Sequence, residues 1–184
     1  MEMDRNQLNK CLKELGAVYE QLGGSKVELG ICGGAGLILT GLIDRTTRDI
    51  DTLFPVPWPK KLAEAAQIVS QNFGLPFDWI NRGPDRLTSM GLPDGFMNRA
   101  KKVKFGKRIT VYFASRYDQV FFKVYAAADR GGYHVDDLLT LNPTEEEMLA
   151  AARWCLTHDT SDGFKKILRD MYEKLGYEKV AKQI

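Results

Sequence analysis

Two aspartates, Asp49 and Asp51, flank a single isoleucine and lead into Leu53-Phe54. On an extended strand, residues two apart project from the same face. The two carboxylates would then stand side by side, with Ile50 turned into the core. Carboxylates held together repel, and keeping both ionised needs a cation. A hard divalent ion, Mg2+ or Mn2+, favours carboxylate oxygens. Gly33-Gly34 lie upstream, with 15 residues from Gly34 to Asp49. A glycine pair at a strand-to-helix turn lets backbone N–H groups approach an anion, and the helix N-terminus adds partial positive charge. Phosphates at the turn and metal on the acids make the geometry of a metal–nucleoside triphosphate site. Alone, Asp-x-Asp is more often a solvated turn, and Gly-Gly simply makes turns. The combination carries the argument.

Other side chains with chemical potential lie further on. Lys123 sits among Phe121, Phe122, Val124 and Tyr125. In so apolar a helix its ammonium must meet an acid or a phosphate, or else reach out to solvent. Arg45 and Arg48, just before the acid pair, either bind phosphate or pair with the acids. Asp136 and Asp137 read as helix-capping residues. His134, in a Gly-Gly-Tyr-His loop, reads as a surface histidine. The run Lys101, Lys102, Lys104, Lys107, Arg108 reads as a solvated face, though a polyphosphate partner such as tRNA rewards such a cluster. Trp58, Trp79 and Trp154 read as packing residues.

These groups need a scaffold. Leu8, Leu12, Leu15, Val18, Tyr19 and Leu22 recur at helical spacing before Gly23-Gly24. "KVELGICGG" reads as a buried strand ending in the glycine turn, and "GAGLILTGLI" as a helix packed beneath it. "DIDTLFP" is a second strand, stopped by Pro55, Pro57 and Pro59. "PKKLAEAAQIVSQNFG" is an amphipathic helix, "LPFDWIN" a third strand and "KRITVYFAS" a fourth. Residues 82–106, rich in glycine, proline and then lysine, read as an irregular excursion. Beyond Ser115 every segment is helical, including one with Thr144 and Glu147 as a capping box. The expectation is an α+β fold: a small mixed sheet with flanking helices, followed by a C-terminal helical segment. The boundary is placed at 141, with residues 1–141 one domain and 142–184 a helical extension.

Bulk composition excludes several classes. The 184 residues carry a net charge of +2, too weak an excess to argue for nucleic acid by itself. No apolar run approaches the roughly 20 residues of a membrane helix, so no membrane partner is expected. "MEMDRNQLNK" lacks the apolar core of a signal peptide. Cys11, Cys32 and Cys155 are scattered, with only His134 and His158 to join them, which argues against a zinc cage and for a reducing cytoplasm.

The pattern "GGAG…RTTRDIDTL" resembles the signature of the polymerase-beta-type nucleotidyltransferase fold, closest to the prokaryotic branch that includes AbiEii-type toxins. "FFKVYAAADRGGYHVDDLLTL" extends the likeness, with Lys123, Ala126, Arg130 and Asp136-Asp137-Leu138 in the branch's usual places. The resemblance covers roughly residues 26–141. It implies transfer of a nucleotidyl group from a nucleoside triphosphate to a hydroxyl on protein, RNA or a small molecule, with Mg2+ or Mn2+. Asp49, Asp51 and Asp78 would hold metal, and Asp78, the one acid in the third strand, would act as base. Gly33, Gly34, Ala35, Arg45 and Thr47 would bind nucleotide, and Lys123 would neutralise developing charge. The alternative implied by the same branch is a weak or inactive toxin–antitoxin component acting through a protein partner.

Overall fold

The computed structural model describes residues 2–83 and 91–184. They form two compact units, taken one at a time: 2–83 with 95–115, and 91–94 with 116–184.

In the first unit, helix α1 (Arg5–Gln21) starts at Asp4, whose side chain accepts from the Gln7 N–H while Gln7 reaches back to the Asp4 N–H. That reciprocal cap satisfies two backbone donors that a helix start leaves open. Strand β1 (Val27–Cys32) leads straight into α2 (Gly33–Thr40). Then come β2 (Ile50–Phe54), α3 (Lys60–Phe73), β3 (Ile80–Arg82), the short α4 (Phe96–Arg99), β4 (Lys101–Phe105) and β5 (Ile109–Phe113). The sheet order is β3-β2-β1-β5-β4. β1 is antiparallel to β2 and parallel to β5; β2 and β3 are parallel, β4 and β5 antiparallel. This is the mixed sheet that the alternation of strand and helix patterns predicts.

The core is built from one face of the sheet and the helices laid on it. Leu8, Leu12, Leu15 and Tyr19 of α1 and Leu62 and Val69 of α3 join Leu29, Ile31, Ile50 and Val111 in one buried cluster. Each such aliphatic side chain contributes about 1.5–3 kcal/mol on leaving water. Ile50 is fully buried, so its neighbours Asp49 and Asp51 are turned to the opposite face.

Two expectations for this unit need correction. Residues 82–106 are not wholly irregular: α4 and β4 lie within them, and 84–90 fall outside the described residues. β4 pairs along its whole length with β5, from Lys101 opposite Phe113 to Phe105 opposite Ile109. Its lysines conceal a period-2 pattern in which Val103 and Phe105 face the core. The third strand is also shorter than "LPFDWIN" suggests. Trp79 N–H bonds to the Pro76 carbonyl, and the buried indole donates to the Ala66 carbonyl at 2.9 Å. That bond holds residues 77–79 in a turn, so Asp78 is exposed ahead of the strand rather than within it.

The second unit is helical: α5 (Arg116–Arg130), α6 (Tyr133–Thr140), α7 (Glu145–His158), α8 (Asp162–Lys174) and α9 (Glu178–Ala181). Thr144 and Glu147 form the expected capping box at the start of α7. Glu147 also receives a fork of two hydrogen bonds from Arg116, at 2.9 and 2.8 Å, which ties α5 to α7. Lys123 does meet an acid: its ammonium lies 2.6 Å from Asp137 of α6, with side-chain exposures of 3% and 7%. His134 is buried, not on the surface as expected; its ring stacks beside Tyr133 at 4.1 Å.

A buried ion pair holds its place because each charge cancels the other's loss of hydration. Lys123→Ala is expected to destabilise the protein by about 3–5 kcal/mol in urea unfolding, since it removes the cation that the buried Asp137 carboxylate meets at 2.6 Å. The double variant Lys123→Met/Asp137→Leu should recover most of that loss. A single variant as stable as wild type would contradict the ion-pair account.

Candidate functional site

Two backbone approaches frame Asp51. Gly33 opens α2 at φ +65°, a region open to glycine and costly for other residues. A Cβ there would lie 2.6 Å from Asp51 Oδ2, so the carboxylate rests on a bare backbone. Within the sheet Asp51 stands opposite Cys32 of β1 and beside Asn81 of β3. Gly83 closes the other side, where a Cβ would come within 3.1 Å of the Asp51 Cβ.

The second glycine makes room for the loop that leads to the acids. A Cβ on Gly34 would lie 3.1 Å from both the Arg45 guanidinium and Thr47 Oγ1. Thr47 Oγ1 in turn donates to the Asp49 carbonyl at 3.4 Å, a long bond. Ala35, the next helical residue, is buried in the core. The structure thus gathers Gly33, Gly34, Arg45, Thr47, Asp49 and Asp51 at the end of the sheet where β1 meets α2.

The loop is held by the N-terminal segment, which no spacing in the sequence indicates. Met3 is fully buried and exchanges backbone hydrogen bonds with Thr47, at 2.7 and 3.0 Å. Glu2 accepts from the Thr46 hydroxyl at 2.8 Å and lies 3.9 Å from Arg48, an exposed and therefore weak ion pair. Arg45 Nη1 donates to the Thr46 carbonyl at 2.7 Å.

Asp49 is half-buried, and burial is the main cause that lifts its pKa above the usual aspartate value. The charge of Asp78 adds to the lift, as does that of Glu2; Arg48 and Arg45 pull the other way. Asp78 therefore acts on Asp49 through its field although it stands in the exposed turn. Among the described residues, no three His, Cys, Asp or Glu side chains are grouped to hold an ion on their own. The candidate donors are Asp51 in β2, Asp49 just before it and Asp78 in the exposed turn. Such a set suits Mg2+, which takes one or two carboxylates and completes its shell with substrate phosphates and water. Lys123, expected to neutralise developing charge, has its ammonium on Asp137. No helix among the described residues is long and apolar enough to cross a membrane.

A family model described as a nucleotidyltransferase of unknown function (DUF6036) matches residues 7–179. No curated protein and no solved structure matches the chain.

The raised pKa of Asp49 has a consequence for stability. Ionising a carboxyl that is harder to ionise when folded opposes folding. The cost is absent below the ordinary aspartate pKa and complete above the raised one. Asp49→Asn should therefore raise the Tm of the metal-free protein at pH 7, by about 2–4 °C for each kcal/mol removed. The gain should vanish as pH falls through the carboxylate range. Thermal unfolding in chelator, from acid to neutral pH, checks this; a Tm at or below wild type at pH 7 would contradict it.

Proposed function

The chain belongs to this family of nucleotidyltransferases of unknown function, and from that premise we propose that the sheet-end site binds a magnesium–nucleoside triphosphate and passes the nucleotidyl group to a hydroxyl acceptor. The observation that carries the reading is the packing of Asp51 on the Gly33 backbone, because it joins the acid pair to the start of α2. Phosphates at Gly33 and Gly34 would meet free N–H groups of the first helical turn, and Arg45 and Thr47 stand over Gly34 to add donors.

Asp49 and Asp51 would hold the metal. A bound divalent cation supplies Lewis-acid polarisation of the phosphoryl oxygens and neutralises charge. It also removes the penalty that burial and Asp78 place on ionised Asp49, so metal and acid pair favour each other. In the transfer the acceptor oxygen forms a bond to the α-phosphorus as the bond to the β-phosphate oxygen breaks, and pyrophosphate leaves. We assign the hydroxyl proton to Asp78, the remaining acid near Asp49. Its exposed turn leaves it open to an incoming acceptor. Lys123 is left out of this scheme, since Asp137 takes up its charge.

Calorimetric titration of ATP, GTP, CTP and UTP with magnesium tests the binding step. One or more should bind wild type, and Asp51→Asn should weaken magnesium-dependent binding by at least about tenfold, roughly 1.4 kcal/mol. Gly33→Ala should do the same by pushing the Asp51 carboxylate away. The reading fails if no nucleotide binds at millimolar concentration, or if Asp49→Asn turns over nucleotide like wild type.

A further inference from the structure

The β4–β5 hairpin concentrates positive charge that the site does not use. Lys101, Lys102, Lys104, Lys107 and Arg108 fall within eight residues, and 101–113 contains no acid. The whole chain has a net charge of only +2, so outside this hairpin it is net acidic. All five side chains are exposed. Glu20 lies 3.6 Å from Lys107, and Lys102 stands over the Tyr112 ring at 5.2 Å. Lys101, Lys104 and Arg108 have no ion pair among the described residues. Lysines on an edge strand discourage pairing with another chain, and β4 is the sheet's edge. That explains residues inside β4 but not Lys107 and Arg108, which lie in the turn beyond the ladder.

The register connects this hairpin to the acid pair. Asp51 pairs with Cys32, and Cys32 shares a face with Gly30. Gly30 pairs with Tyr112, and Tyr112 with Lys102. Lys102, Lys104 and Asp51 therefore share the sheet face opposite the main core. Three strand spacings and two residues of offset put Lys102 roughly 15 Å from Asp51. Lys102 and Lys104 are about 7 Å apart along their strand, on the scale of successive phosphates in an extended polynucleotide. None of the exposed large apolar side chains lies in 101–113, so the hairpin offers nothing to insert into a lipid surface.

We propose that the hairpin docks the backbone of a single-stranded polynucleotide, which presents its terminal hydroxyl to the acid pair a few nucleotides away. The role as acceptor rests on the nucleotidyl-transfer reading; the docking does not. Fluorescence anisotropy of a labelled RNA of about 20 nucleotides, in chelator and without nucleotide, measures docking alone. Wild type should bind, with affinity falling as salt rises from ~50 to ~200 mM. The triple variant Lys102→Gln/Lys104→Gln/Arg108→Gln should lose about two units of the log–log salt slope, at roughly 0.7 per phosphate contact, and at least ~10-fold in affinity. Circular dichroism checks its fold. Lys102→Arg/Lys104→Arg/Arg108→Lys should bind as wild type, and so should Asp49→Asn. No binding by wild type, an unchanged triple variant, or capture by anionic phosphatidylserine vesicles but not by RNA would overturn the docking. RNA binding without any nucleotide binding would overturn the proposed function alone; nucleotide binding without RNA binding would overturn the docking alone.

Discussion

Two carboxylates on one face of a strand, one of them packed on a glycine backbone, set the terms for the first unit. Asp78 and Glu2 make Asp49 harder to ionise, and Asp49 is also partly withdrawn from water. A protein accepts such an arrangement only if the surrounding structure enforces it. Here the enforcement is Ile50, which is fully buried between the acids and fixes the strand's facing. The sheet then fixes their position, since β2 is paired on both sides. Any slip of one residue would bury the carboxylates and expose the isoleucine.

The loop before the acids is organised with equal care. Thr47 bridges to Met3, so the N-terminal segment braces the loop that brings Arg45 and Thr47 to Gly34. The glycines are there for space as much as for turning. At Gly33 a methyl group would collide with the Asp51 carboxylate, and at Gly34 it would crowd Arg45 and Thr47. The site's acids, cations and helix start meet because two side chains are missing between them.

Much of this was legible from residue types. Strand period placed Asp49 and Asp51 on one face, the Thr144–Glu147 capping box gave one helix start, and the apolar spacing of α1 gave its buried stripe. The likeness to nucleotidyltransferases, carried by the glycine pair and "RTTRDID", agrees with the family the chain belongs to. What failed was local reading where long-range pairing decided the outcome. β4 looked irregular because its ladder partner, β5, lies beyond a turn, and because lysines hid the inward Val103 and Phe105. Asp78 looked like a strand residue because Trp79 and Ile80 are apolar. Trp79 is instead the anchor of a turn, and its indole bond to Ala66 is invisible in sequence.

By itself the sequence determined most of the helices and strands, the shared face of the acid pair and the choice facing Lys123 between an anion and solvent, because these follow from periodicity and desolvation acting over a few residues. Only the tertiary structure decided which anion Lys123 meets, that Glu2 and Met3 brace the acid loop, and that Asp78 acts on Asp49 from an exposed turn. Those outcomes depend on contacts between residues far apart in the chain. Their energies come from burial and charge at a place that exists only once the sheet has formed.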